Sequence, residues 1–245
     1  PNVTAKVTRE AVFLCRWTAA KLLHDEVDAL CQELSMNTAT DALRERAGAD
    51  REPYRALLRR ERSQLAAALR QIEGELESLK SGRAERPSLD SSAPSAQSLL
   101  DALMLTRSSL IETRQQAIAE GRLLDLIRRV HCFGLHMVRI DIRQESARHT
   151  NVLDELTRYL ELGAYSDWDE AKRQRFLIAE LGSKRPLIPE NMPASQEVQE
   201  VLDTFRMLAT LPRDSLGAYV ISMAHQPSDV LAVELRPAGD RTYDV

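Results

Sequence analysis

The residues best able to do chemistry crowd into one run, Arg139-Ile140-Asp141-Ile142-Arg143-Gln144-Glu145-Ser146-Ala147-Arg148-His149-Thr150. An arginine in such a setting can fork two N–H bonds onto a phosphate or carboxylate, and a neighbouring aspartate can fix the guanidinium. The chemistry on offer is therefore the binding of a small anion. The alternative is an ion pair that merely supports the local structure. From residue types alone both readings stay open for Arg143, while the structural one is favoured for Asp141.

Other candidates are weaker. His24, His131, His136, His149 and His225 show no His-Glu-x-x-His or comparable ligand spacing, so each reads as structural or exposed and no metal site is expected among them. Cys15, Cys31 and Cys132 are odd in number and far apart, which suggests three free thiols in a reducing compartment. Arg55, Arg59, Arg60 and Arg62 form a basic cluster beside Glu61, but a net charge of −4 and scarce aromatic residues make it a solvated helix face rather than a nucleic-acid site. Gly-rich nucleotide loops and the Gly-x-Ser-x-Gly hydrolase motif are absent from the sequence. No apolar run approaches the roughly 20 residues of a membrane span, so a soluble, cytoplasmic protein without membrane or nucleic-acid partners is expected.

The elements that must position the anion-binding run follow from composition and periodicity. With 4% aromatics, 9 glycines and abundant Leu, Ala, Glu and Arg, the 245 residues should be mostly α-helical. Leu135 to Ile142 breaks that pattern. It is rich in β-branched residues and alternates from Val138 onward, which predicts a strand with Val138, Ile140 and Ile142 on one side and Arg139, Asp141 and Arg143 on the other. Helical patterns flank it, so its apolar side should be covered and its charged side should face a polar cavity. The ends of such strands are where α/β folds bind ligands.

Ser146 is a candidate N-cap for a helix that Gly163 ends, and Ser166 with Asp169 resembles a weak capping box for a helix to about Leu181. Ser195 opens a further helix, Tyr219 to Met223 reads as a second short strand, and Pro227 starts a helix through about Leu235. Two strands of one parallel sheet need a crossover of this kind. Upstream, helices are predicted from Thr4 to about Leu34 and from about Arg51 to Leu79, able to pair antiparallel. Ser81 to Ala96 reads as an irregular, mobile loop, followed by a helix from Gln97 to about Glu120 and a shorter one that Gly134 stops.

Several runs together carry a family resemblance. Phe133-Gly134-Leu135, the stretch Val138 to Thr150 (V-R-I-D-I-R-Q-E-S-A-R-H-T) and Tyr219 to Leu235 (Y-V-I-S-M-A-H-Q-P-S-D-V-L-A-V-E-L) closely resemble phosphoenolpyruvate carboxylase of the bacterial type. Lys184-Arg185-Pro186-Leu187, Leu34-Ser35-Met36 and Pro1-Asn2-Val3-Thr4 also fit. The resemblance implies a (β/α)8 barrel with large helical elaborations, in a cytoplasmic homotetramer. It implies a carboxy-lyase that joins phosphoenolpyruvate and bicarbonate into oxaloacetate and phosphate with Mg2+ or Mn2+. The Arg of the D-I-R-Q-E-S run contacts the phosphorylated substrate in that family and matches Arg143, with Asp141 and Arg139 as supporting residues. The family's catalytic His, metal-binding carboxylates, Lys and Gly-rich H-G-R-G-G loop have no counterpart in this sequence.

The expectation is thus a mainly α chain with two short parallel β-strands, part of a (β/α)8 barrel. Residues 1–134 would be a helical section with a mobile loop at about 81–96, residues 135–235 two strand-plus-helix units, and residues 236–245 an atypical tail, where Arg236-Pro237-Ala238-Gly239 departs from the family pattern. The opening at Pro1, without an initiator Met, reads as a fragment that would be inactive alone. The competing expectation is a stand-alone helical scaffold or interaction protein derived from such an enzyme. A third is a split enzyme that needs a second chain.

Overall fold

A computed structural model describes residues 4–81, 95–183, 187–189 and 192–235. The chain divides into two compact units, Glu10–Val138 and Arg139–Val245, the second including Pro1–Arg9. Most of the loop expected at 81–96, the basic loop at Lys184 and the tail from Arg236 lie outside the described residues; Ser81 and Ala96 themselves are helical.

Helices build the first unit: α1 (Ala5–Glu33), α2 (Asp41–Ala47), α3 (Pro53–Ser81), α4 (Ala96–Glu112), the single turn α5 (Gln116–Ala119) and α6 (Arg122–Phe133). On α3 the three- and four-residue spacing of Leu58, Leu65, Leu69 and Ile72 turns all four inward. Leu58 and Leu65 join Leu30, Leu43, Leu103 and Leu126 in one core. Burying each such side chain contributes about 1.5–3 kcal/mol. Trp17 of α1 donates to Glu73, Arg62 pairs with Asp28, and Arg55 donates to the Cys31 carbonyl, so α1 and α3 run antiparallel. The Arg55 cluster is therefore only half a solvated face: Arg59 and Arg60 are exposed, while Arg55 and Arg62 tie two helices together and Glu61 is buried. Burial pushes the Glu61 carboxyl above its ordinary value, and the Arg62 hydrogen bond holds Asp28 below its own.

The helix expected across Gln97–Glu120 is broken, because Arg114 adopts a positive φ and the chain restarts at α5. The predicted strand start at Leu135 is also displaced. Gly134 (φ 53°, ψ −147°) and Met137 (φ 66°) bend the chain, and the Met137 and Val138 N–H groups bond back to Phe133 and His136. Val138 is left exposed, ahead of the strand.

The second unit pairs two parallel strands, β1 (Ile140–Glu145) and β2 (Leu216–Ser222). Between them run α7 (Ser146–Tyr159), α8 (Glu170–Gly182) and α9 (Gln196–Thr210), and α10 (Pro227–Glu234) follows β2. Ser195 caps α9 through its side-chain oxygen, as the sequence suggests; at α8 the expected Ser166–Asp169 box does not form, because Asp169 is itself the N-cap, accepting the Lys172 N–H, while Ser166 donates to Asp154. Ser146 does not cap α7; it is the first helical residue, and its hydroxyl donates to the Met223 carbonyl at 2.7 Å. Val152, Leu153, Leu156, Val198, Val201 and Leu202 fill the core between α7 and α9. The chain is thus mainly helical with two short parallel strands. Among the described residues no helix is long and apolar enough to cross a membrane.

Gly134 offers a direct test of this account. Its φ and ψ lie near a region that only glycine enters readily, and a Cβ there would sit 2.8 Å from the His136 ring. Gly134→Ala should lower stability by about 1–3 kcal/mol, read from urea denaturation. An unchanged midpoint would show that the turn relaxes without strain.

Candidate functional site

Alternation along β1 separates the two kinds of residue in the run. Ile142 and Gln144 are buried, while Arg139, Asp141, Arg143 and Glu145 are exposed. Asp141 and Arg143 come together on that outer face, Oδ2 to Nη2, at 3.9 Å. Among the described residues this long ion pair is the one polar contact of the Arg143 guanidinium, whose side chain is 78% exposed. Within this unit these charged side chains stay exposed, and no enclosed polar cavity forms over them among the described residues.

β2 holds the run in place at two points that the sequence does not announce. Asp141 Oδ1 accepts the Ala218 N–H at 3.0 Å, directly beside Gly217. At the strand ends the Ser146 hydroxyl reaches the Met223 carbonyl, which is presented by a residue at φ 58°. A positive φ at a bulky residue marks a conformation that its surroundings must enforce.

Beneath the sheet lies a second cluster, from the same run. Arg148 of α7 is buried and donates to Glu200 of α9 at 2.8 Å, with Glu197 at 3.7 Å. His149 shares a 3.3 Å hydrogen bond with the Tyr219 hydroxyl, and both rings pack against Phe205. Burial, then the adjacent Arg148 charge, pulls the His149 imidazole down to about 4, and burial pushes the Tyr219 phenol up. Both are neutral near pH 7. A small cavity beside them, lined by His149, Val152, Leu156, Val201 and Phe205, has a volume of roughly 20 Å³. It has room for about one water and none for a phosphorylated acid. This cluster holds α7 and α9 to β2.

Arg148 and His149 are both buried in this cluster. Among the described residues no group of three or more His, Cys, Asp or Glu side chains could hold a metal ion.

The neutral imidazole fixes a pH dependence. The unfolded chain takes up the His149 proton near 6.5, whereas the folded chain resists it until about 4. Between those values the unfolded state binds more protons, so the contribution is intact above pH 6.5 and is lost as pH falls toward 4. The urea midpoint should fall across that window, and His149→Gln should flatten the fall. An equally steep fall in the variant would assign it to other groups.

A family model described as phosphoenolpyruvate carboxylase matches residues 1–239. The chain is 48% identical over 237 residues to the phosphoenolpyruvate carboxylase of Photorhabdus laumondii and 49% identical over 237 residues to that of Pectobacterium carotovorum. That of Serratia proteamaculans is 48% identical, and each match covers 96% of this chain. The chain spans about a quarter, 26%, of the length of these curated relatives. With identity at this level along nearly its whole length, the chain belongs to the phosphoenolpyruvate carboxylase family.

Proposed function

We propose that this chain is a section of a cytoplasmic phosphoenolpyruvate carboxylase and that its contribution to catalysis is the guanidinium of Arg143. The whole enzyme would carboxylate phosphoenolpyruvate with bicarbonate, giving oxaloacetate and phosphate for anaplerotic supply. The observation that carries the reading is the state of Arg143 in a family member: a cation on the outer face of a parallel strand, near its carboxyl end, with its N–H groups almost unused. Such a position is where strands followed by helices present side chains to ligands.

In this reading β1–α7 and β2–α10 are two strand-plus-helix units of a (β/α)8 barrel, and residues 1–134 are a helical section attached to them. Further strands of the enzyme cover the charged face and close the cavity. The assembly is a homotetramer. Mg2+ or Mn2+ is held by residues outside this chain and supplies Lewis-acid stabilisation to the anionic substrate. Arg143 acts by charge and shape: its planar fork matches two phosphoryl oxygens and stabilises the charge that develops as phosphate passes to bicarbonate. Arg139 and Asp141 support it from the same strand face. No specific observation favours the scaffold reading over this one.

In the full-length enzyme, Arg143→Ala should lower kcat/KM for phosphoenolpyruvate by about 10²–10³-fold, as removal of a preorganised donor at a developing charge does. Arg143→Lys should recover part of it, since the charge returns without the fork. Kinetics equal to the parent's would end the assignment. The isolated chain should form no oxaloacetate in an assay coupled to NADH oxidation; measurable turnover would contradict the proposal that the rest of the machinery lies elsewhere.

A further inference from the structure

We infer that Asp141 and Gly217 form a cross-strand lock that positions Arg143, with Asp141 as the positioning residue and Gly217 as the residue that lets it reach β2. The inference rests on the reading of Arg143 as the anion clamp and deepens it. It starts from the register of the two strands. Ile140 is opposite Leu216 and Ile142 opposite Tyr219, so Asp141 alone on β1 faces two residues, Gly217 and Ala218, on β2. This is a bulge: one extra residue on β2 interrupts the ladder and leaves a backbone N–H without its regular partner. Asp141 Oδ1 takes that N–H, from Ala218, at 3.0 Å.

The carboxylate can do so only because residue 217 has no side chain. A Cβ there would overlap Asp141 Oδ1, and would lie 3.5 Å from Asp141 Cγ and 3.6 Å from Arg139 Cβ. Close approach of a side chain to a backbone is a recognised use of glycine within a strand.

The consequence falls on Arg143. Asp141 and Arg143 share a face two residues apart, and both are exposed, so an unrestrained Asp141 would be free to swing onto the guanidinium and occupy its fork. With Oδ1 held by β2, Oδ2 instead stays 3.9 Å from Arg143 Nη2. At that distance the carboxylate orients the cation without consuming its N–H groups, which remain for an incoming anion. An exposed pair of this length contributes little to stability. Bulges beside active sites commonly re-aim one side chain in this way.

The test uses the full-length enzyme with Asp141→Ala, Asp141→Asn and Gly217→Ala, each alone and combined with Arg143→Ala. Folding is checked by circular dichroism and gel filtration, and KM and kcat for phosphoenolpyruvate are measured. Asp141→Ala and Gly217→Ala should each lower kcat/KM by about 10- to 100-fold, the scale of a misplaced reacting group. Asp141→Asn keeps an acceptor for the Ala218 N–H and should retain more activity than Asp141→Ala. In the Arg143→Ala background the same changes should matter by no more than about twofold, because their effect passes through Arg143. Losses that are equally large in both backgrounds would overturn the lock. Should Gly217→Ala fail to fold, the Asp141 variants decide by the same comparison. If Arg143→Ala is impaired while the Asp141 variants match the parent, the positioning role falls and the clamp survives; if Arg143→Ala itself matches the parent, the clamp falls and the inference with it.

Discussion

The parallel ladder between β1 and β2 is the constraint on which the second unit depends. Two parallel strands cannot be joined by a tight turn, so the chain between Glu145 and Leu216 must leave the sheet, cross and return. Helices α7 and α9 accomplish this while sharing an apolar core through Val152, Leu156, Val198 and Val201. Register then does the sorting. A slip of one residue would carry Arg143 to the buried side and Ile142 out to water, exchanging a solvated cation for an unpaired buried one. The apolar core and the charged outer face are consequences of the same pairing.

Much of this was legible from residue spacing. Alternation at Ile140, Asp141, Ile142 and Arg143 placed the charges on one face, and the structure leaves that face exposed with Ile142 buried behind it. The leucine pattern of α3, the cap at Ser195 and Pro227 at the start of α10 correspond to what the side chains can do locally. These features depend on near neighbours in sequence, and near neighbours are what a sequence displays.

What escaped depends on atoms far apart along the chain. Ser146 looked like an N-cap because its type and position fit one, yet its hydroxyl serves the carbonyl of Met223, just past the end of the other strand. Gly217 lay outside the strand expected at Tyr219 to Met223, and its closeness to Asp141 emerges only once the two strands pair. The strand start was misplaced because Val138 and Ile140 suit a strand locally, whereas the positive φ at Met137 and the bonds of the Met137 and Val138 N–H groups back to Phe133 and His136 keep the chain in a turn until the strand begins. Alternation along β1 places the charges on one face but carries no information about what lies over that face.

The arginines show how structure separates roles that composition leaves mixed. Arg55 spends its donors on the Cys31 carbonyl and Glu52, Arg62 on Asp28, and Arg148 on Glu200. Each joins two elements or fixes a turn, and each has donors already occupied. Arg143 carries the same five N–H donors. It meets a single carboxylate oxygen beyond hydrogen-bond length, and that carboxylate is itself held away by a backbone N–H. A guanidinium kept solvated and oriented in this manner adds little to folding stability, so the arrangement makes physical sense as preparation for an anion that arrives from outside the chain.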